Sequence, residues 1–333
     1  MSFTFKPATR DKIGLLFAVA GASGSGKTYS ALRLAKGIAN GTGKIAVIDT
    51  EAGRAKHYAD KFNFLHGDFE PPFTPERYVE AVRAAEEAGA TVIVIDSMSH
   101  EWNGEGGLSD IAEEQARKMA TGRDGKLQEW KIEAMTGPSW AKPKIRHKRM
   151  MSRLIQTRTH VIFCLRAEDK VKFQKVKDPN GYEKTQIIPV GWKPVCEKGF
   201  MFEMSGSLTL SPDRPGAVNY ELDRKLNADL LKIFQDGQAI TEDHGRALKL
   251  WAETGEHERP PLDKAKDGAR ELIERIEDAT SMADVQAIAG DAQVKKQRDW
   301  LAKNRPELAS QVQDALDKAA DTFAPPVFTE AAE

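Results

Sequence analysis

Cysteine is almost absent from this chain of 333 residues. Only Cys164, inside the apolar stretch "VIFC", and Cys196 occur, which excludes a disulfide framework and a four-cysteine zinc site and leaves two reduced, partly buried thiols as the expectation. Long apolar runs are missing as well. None approaches the roughly 20 residues that cross a bilayer, and the opening "MSFTFKPATRDK" lacks the basic start and apolar centre of a signal peptide, so a cytoplasmic protein without a membrane partner is expected. The seven histidines show no H-E-x-x-H pair or other metal spacing. Net charge is nearly zero, but it is unevenly spread. From Asp263 onward there are 10 Lys/Arg against 15 Asp/Glu, so a mildly basic body precedes an acidic tail.

What the sequence does contain is alternation of apolar runs with helical patterns. "GLLFAVA", "IAVI", "TVIVI" and "HVIFCL" are apolar on consecutive residues and rich in β-branched side chains, as strands covered on both faces are. Between them, "TPERYVEAVRAAEEAG" offers Thr74 as N-cap, Pro75 at the first helical position and Gly89 as a stop. The spacing predicts an α/β core with a mainly parallel, doubly wound sheet over residues 1–255. Within it, "VKFQKVK", the turn "DPNG" and "YEKTQIIPV" read as a hairpin or a long loop, and "GFMFEMSGSLTL" supplies a further strand. The polar, proline-bearing residues 256–262 read as a linker, residues 263–322 as a small helical module of three helices, and residues 323–333 as a disordered end.

The strongest local signal is "GASGSGKT", which satisfies G-x-x-x-x-G-K-[ST] directly after a strand and at the start of a helix. Gly21, Ala22, Ser23, Gly24, Ser25, Gly26, Lys27, Thr28 and Tyr29 are the candidate nucleotide-binding residues. The turn's backbone N–H groups would curl round phosphate, Lys27 would reach the β/γ oxygens, and Thr28 would ligate Mg²⁺. A dinucleotide fingerprint cannot be read, because Lys27, Thr28 and Tyr29 follow the glycines. Residues 92–95 followed by Asp96 form a Walker B strand whose carboxylate would hold the hydrated Mg²⁺ beside Thr28. ATP and Mg²⁺ are therefore the expected ligands. A second strand, "KIAVIDTE", also ends in carboxylates. Glu51 is the candidate for directing the attacking water, with Glu101 as its rival and Asp49 as a structural cap.

The order of P-loop, "IDTE", "VIVIDS" and "HVIFCLR" resembles the RecA-like recombinase core. "IDSMSHEWNGEGG" with "HVIFCLRAEDKV" looks like the phage-encoded RecA-like ATPases of single-strand annealing recombination, over about residues 12–210. The resemblance implies ATP hydrolysis coupled to single-stranded DNA, a homo-oligomer, a slow rate without DNA, and Glu51 in the water-directing place on the strand beside the P-loop. In RecA the fourth strand ends in a glutamine that senses the γ-phosphate. Here Arg166 stands there, either as a guanidinium sensor, and so a catalytic candidate with Lys27 and Glu51, or as an ion-pair partner of Glu168 or Asp169.

Such proteins bind DNA through loops after the Walker B and sensor strands. Residues 103–153 hold Trp130, Trp140 and the basic run Lys142, Lys144, Arg146, Lys148 and Arg149. Residues 168–194 interleave Lys170, Lys172, Lys175 and Lys177 with Phe173 and Tyr182. The first run also has helical spacing through Ile145, Met150 or Met151, and Leu154, so a solvated helix face is the alternative. "FKPA" at residues 5–8 is a candidate for docking on a neighbouring subunit. The acidic tail is a candidate site for a single-strand-binding or other recombination protein. Two other functions remain open: a small-molecule phosphotransferase, and an ATP-switched DNA-loading module with little hydrolysis.

Overall fold

The computed structural model describes residues 14–177, 183–253 and 264–323. Residues 5–8, the "DPNG" turn with Tyr182, the linker at residues 256–262 and the end from residue 324 lie outside these. Two compact units divide the chain, Met1–His257 and Glu258–Glu333.

In chain order the first unit comprises β1 (Leu16–Gly21), α1 (Lys27–Ala39), β2 (Lys44–Asp49), a 3-10 turn (Arg54–Tyr58), β3 (Leu65–Asp68), α2 (Pro75–Glu87), β4 (Ala90–Asp96), α3 (Ser99–Asn103), α4 (Leu108–Ala120), α5 (Glu129–Ser139), α6 (Ala141–Leu154), β5 (His160–Lys177), β6 (Glu183–Pro194), α7 (Phe200–Glu203), β7 (Gly206–Leu210), β8 (Arg224–Lys225), α8 (Ala228–Ile233) and α9 (Glu242–Ala252). Strand order is β3-β2-β4-β5-β1-β7-β8, parallel except for β8, with β6 antiparallel on the outer half of β5.

Side chains alternate across each strand, so an apolar strand feeds two layers. Leu15, Phe17 and Val19 pack with α1, α8 and α9, while Leu16, Ala18 and Ala20 face the layer of α2, α6 and α7. Phe17 stacks on Phe234 at 5.3 Å in the first layer, and Phe163 meets Phe200 edge-on at 5.1 Å in the second. The mainly parallel, doubly wound α/β sheet is thus present.

Three sequence expectations need correction. β2 is not beside the P-loop strand: β5 and β4 stand between β2 and β1. β3 went unread because "LHGD" at a sheet edge needs no apolar run. Residues 103–153 are not a loop but mostly helix, α4 to α6, which buries Leu108, Ala112 and Ala116 from α4 and Met150, Met151 and Leu154 from α6.

The second unit has four helices where three were expected: α10 (Lys264–Glu277), α11 (Met282–Gly290), α12 (Ala292–Asn304) and α13 (Pro306–Phe323). α12 escaped notice because it buries only Val294 and Leu301, too sparse a stripe to read. Asp291 caps it, accepting from the N–H groups of Gln293 and Val294 at 2.8 and 3.0 Å. Leu272 and Ile276 of α10, Val285 of α11 and Val312 and Leu316 of α13 complete the core.

α1 and α9 cross closely because glycines meet there. A Cβ on Gly37 would lie 2.8 Å from the Gly245 Cα and run into the Glu242 carbonyl oxygen. Alanine normally improves a helix by about 1 kcal/mol over glycine, but overpacking costs about 1–3 kcal/mol, so the clash wins here. Gly37→Ala is expected to destabilise the protein in denaturant titrations. Gly137→Ala, in α5 with open space around it, is expected to be neutral or stabilising. A stabilising Gly37→Ala would contradict the packing described.

Candidate nucleotide site and nucleic-acid surface

The phosphate turn leaves β1 at Gly21 and enters α1 at Lys27. Gly24 and Gly26 have φ of 78° and 79°, the left-handed region that side chains other than glycine's rarely adopt. At Gly26 space is tight as well, since a Cβ would lie 2.9 Å from the Gly216 amide nitrogen. That amide donates to the Ser25 carbonyl at 2.9 Å, so the segment after β7 braces the turn. Nothing in the sequence pointed to that brace.

Gly26 caps α1 with no side-chain hydrogen bond, and the first turn carries no acid. Its N–H groups therefore remain available to an anion. Ala22 and Ser25 are buried, Ser23 and Gly24 are exposed, and the Ser25 hydroxyl has no hydrogen-bond partner. A buried hydroxyl left unpaired costs about 1–3 kcal/mol, a deficit sited in the turn that would cradle phosphate. Tyr29, half-exposed, forms an aromatic wall beside the turn with Tyr58 at 5.8 Å and Phe62 at 5.4 Å.

Parallel register brings the other groups level. Gly21 stands opposite Arg166, Cys164 opposite Asp96, and Asp96 opposite Asp49. The Thr28 hydroxyl donates to the Asp96 carboxylate at 2.5 Å. A hydroxyl and a carboxylate suit Mg²⁺, which takes few protein oxygens and keeps water and phosphate as its other ligands. No cluster of three or more His, Cys, Asp or Glu able to hold a metal occurs among the described residues. Burial pushes the Asp96 carboxyl up to about 6, with Glu51 and Asp49 adding to the rise and Thr28 and Lys27 opposing it.

Asp49 is spent on its own loop, accepting from the N–H of Glu51 at 2.7 Å and of Ala55 at 2.9 Å, with His66 at 3.1 Å. Glu51 is turned inward, 13% exposed. Arg166 donates to its Oε1 through Nε at 3.0 Å and Nη2 at 2.7 Å, and Arg54 approaches Oε2 at 3.2 Å. The expected pairing of Arg166 with Glu168 or Asp169 is corrected accordingly. Strand alternation puts Asp169 on the opposite face from Arg166 and Glu168 on the same one, but Glu51, reaching across the strand ends, takes both guanidinium donors. Arg54 as second partner went unread, as did Ser99, whose hydroxyl accepts from the Arg166 N–H at 2.9 Å.

Glu101 lies elsewhere. It is 1% exposed and bonded to the His147 Nδ1 at 3.0 Å, under α6, and burial above all raises its carboxyl above the ordinary range. As a partner for water at the phosphates it has the wrong surroundings. Burial also raises both thiols, Cys164 far up and Cys196 up to about 12, so neither is a nucleophile.

The two basic segments fare differently. In α6, Arg146 is engaged bidentately by Glu76, with Nε to Oε1 at 2.8 Å, so it is no free phosphate contact. Trp140 stacks on Trp102 at 4.9 Å and is likewise occupied. Lys144 and Lys148 are exposed but border a cavity that also holds Glu197 and Glu203, while Lys142 and Arg149 are half-buried.

β5, by contrast, runs out of the sheet after Arg166 and pairs with β6 as a two-stranded ribbon. Its register separates residues that the sequence had grouped. Val171, Phe173 and Lys175 share one face with Ile187, whereas Lys172 shares the other with Lys184 and Gln186. Phe173 is 67% and Ile187 58% exposed, and Lys170, Lys172 and Lys175 are exposed too, Lys175 within 3.3 Å of Glu183. Lys177 ends β5.

A glycine turn that opens a helix, with a threonine–aspartate oxygen pair at the carboxyl end of a parallel sheet, defines a P-loop nucleoside-triphosphate-binding protein. The family comparison places it more closely: the AAA domain model AAA_24 matches residues 14–195, more than half of the chain, and the chain belongs to that family. No curated protein matches. Among solved structures, a KaiC-like protein, PH0186 of the hyperthermophilic archaeon Pyrococcus horikoshii OT3, is similar at 13% identity over 54% of this chain and 80% of that one, with a TM-score of 0.24. No helix among the described residues is long and apolar enough to cross a membrane.

The raised Asp96 carboxyl sets a pH dependence. Its value in the folded state, about 6, exceeds its ordinary 3.8, so Asp96 costs the fold stability as pH rises between those values. The cation needs the ionised form. Mg²⁺-nucleotide affinity is therefore expected to fall about tenfold per pH unit below 6, beyond the nucleotide's own titration. Calorimetric titrations of wild type against Asp96→Asn isolate this contribution, and identical pH profiles for the two would refute it.

Proposed function

We propose that this chain is an ATP-hydrolysing, single-stranded-DNA-binding recombination protein of the phage-encoded RecA-like kind, which anneals or pairs strands as an oligomer along DNA. One observation carries the reading: the strand that presents Arg166 to Glu51 at the phosphate site continues unbroken into the exposed lysine and phenylalanine ribbon. Nucleotide state and DNA contact are thereby joined by a single element.

The phosphates of ATP would lie on the turn at residues 21–28, with Lys27 on the β/γ oxygens. Thr28 and Asp96 would hold Mg²⁺, which when bound draws charge from the phosphate oxygens. Glu51 would orient the attacking water. That carboxylate is tied to Arg166. The guanidinium is 45% exposed, and such a pair is worth at most about 1 kcal/mol, so a γ-phosphate competes for it readily. Release of Arg166 frees the Oε1 of Glu51, Arg54 keeping Oε2, and pulls on the start of the ribbon, where the Val195 N–H is bonded to the Arg166 carbonyl at 2.8 Å. Phe173 would stack on bases and the lysines would meet phosphates.

A second reading, an ATP-switched DNA-loading module with little turnover, is favoured by the engagement of both Glu51 oxygens with arginines. ATPase assays with and without single-stranded DNA separate the two. Wild type is expected to turn over faster with DNA, and Glu51→Gln to lose about 10²–10⁴-fold in kcat with nucleotide affinity within a few-fold. Turnover indifferent to DNA, with strand annealing intact in Glu51→Gln, would favour the loading module. Hydrolysis undiminished in Glu51→Gln would remove that residue from the mechanism.

A further inference from the structure

The second compact unit exposes an aromatic side chain on one of its helices. Trp300 on α12 is 53% exposed, and the apolar core of the unit closes without it. Tryptophan is mostly buried in folded proteins, so an indole that the core does not use needs another explanation.

Its surroundings are chemically uniform. At about 100° per residue, Gln293, Lys296, Lys303 and Asn304 project within roughly 60° of Trp300, and all four are exposed, the Asn304 amide donating one N–H to the Trp300 carbonyl at 2.8 Å and keeping its other N–H and its oxygen. These are ammonium and amide groups, one lysine a turn before the indole and one a turn after it. Asp299, the one acid of α12, lies about 100° round the helix, and Arg298 is turned to the Gln313 side chain at 2.8 Å.

Charge is segregated in the same sense. Of the 10 Lys/Arg and 15 Asp/Glu from Asp263 onward, α12 holds four of the bases and a single acid. An acidic tail thus presents one cationic helix, and its exposed aromatic sits between the lysines. An acidic peptide would answer the lysines only. A single strand of nucleic acid answers every group, with phosphates for lysines, a base face for the indole and base edges for the amides.

We propose that Lys296, Trp300 and Lys303, flanked by Gln293 and Asn304, form a second contact for single-stranded nucleic acid on the C-terminal unit. Trp300 stacks on a base, and the two lysines meet phosphates on either side. The inference rests on the DNA-binding function proposed above for its ligand, and it gives the strand a grip independent of the ribbon.

The test uses the full chain and a dye-labelled oligothymidylate, with anisotropy read over a range of salt. Trp300→Ala is expected to weaken binding about tenfold and Trp300→Phe far less. Lys296→Glu with Lys303→Glu is expected to reduce the slope of log affinity on log salt by about 1.4. Basal ATPase without DNA stays unchanged in these variants, which reports an intact core. Photo-cross-linking of an iodouracil-substituted strand is expected to mark Trp300. Affinity and slope unchanged in the α12 variants, with cross-links confined to residues 14–253 and binding lost in Lys172→Glu/Phe173→Ala, would overturn this contact and leave the ribbon reading intact. Displacement of the strand from α12 by an equally charged polyglutamate would overturn it in favour of an acidic protein partner. No binding by wild type would end both proposals.

Discussion

Gly21, Arg166, Asp96 and Asp49 come together because β1, β5, β4 and β2 are bonded in parallel, with Gly21 opposite Arg166 and Asp96 opposite Asp49. Residues separated by more than 100 positions in sequence thereby meet at one row of strand ends, where side chains can turn towards a ligand. Placing β5 between the phosphate strand and the Asp96 strand matters most. It sets an arginine at the centre of the row and sends the same strand onward into the solvent. The candidate phosphate site and the ribbon then share one strand, held at the point of departure by the Ser99 hydroxyl on the Arg166 N–H.

The same row is electrostatically loaded. Asp96, Asp49 and Glu51 converge where Lys27, Arg166 and Arg54 are the available cations, and Asp96 yields, its carboxyl pushed up to about 6 by burial. Asp49 is satisfied by two backbone N–H groups and His66, so it stays put as a loop anchor. Glu51, bound only by arginine side chains, is the carboxylate that can change partners. Behind the row, Glu101 and His147 form a buried pair between α3 and α6, which fixes the helix that follows Asp96 to the helices that follow it.

Much of this was legible in the sequence, for physical reasons. The four long parallel strands are apolar on both faces and announce themselves. The phosphate turn combines glycines, a lysine and a threonine in an order that few other structures require. What escaped notice is instructive. β3 is an edge strand with no need of an apolar run. α4 to α6 carry so many charges, with Pro138 and Pro143 among them, that a loop was the natural reading, though Met150, Met151 and Leu154 do pack inward. The partner of Arg166 lies 115 residues away, beyond any local pattern. Separation of Lys172 from Phe173, on the other hand, follows from strand alternation and was there to be read. Trp300 left no trace because α12 has only two inward apolar residues to mark its phase.

The exchange of partners at Glu51 is the point on which the account turns, and a crystal structure of the full chain with Mg²⁺ and a non-hydrolysable ATP analogue observes it directly. The expected result has Arg166 moved from Glu51 onto the γ-phosphate, with the freed carboxylate holding a water in line with that phosphate. A guanidinium still 2.7 Å from Glu51, with the carboxylate turned away from the bound nucleotide, would contradict it.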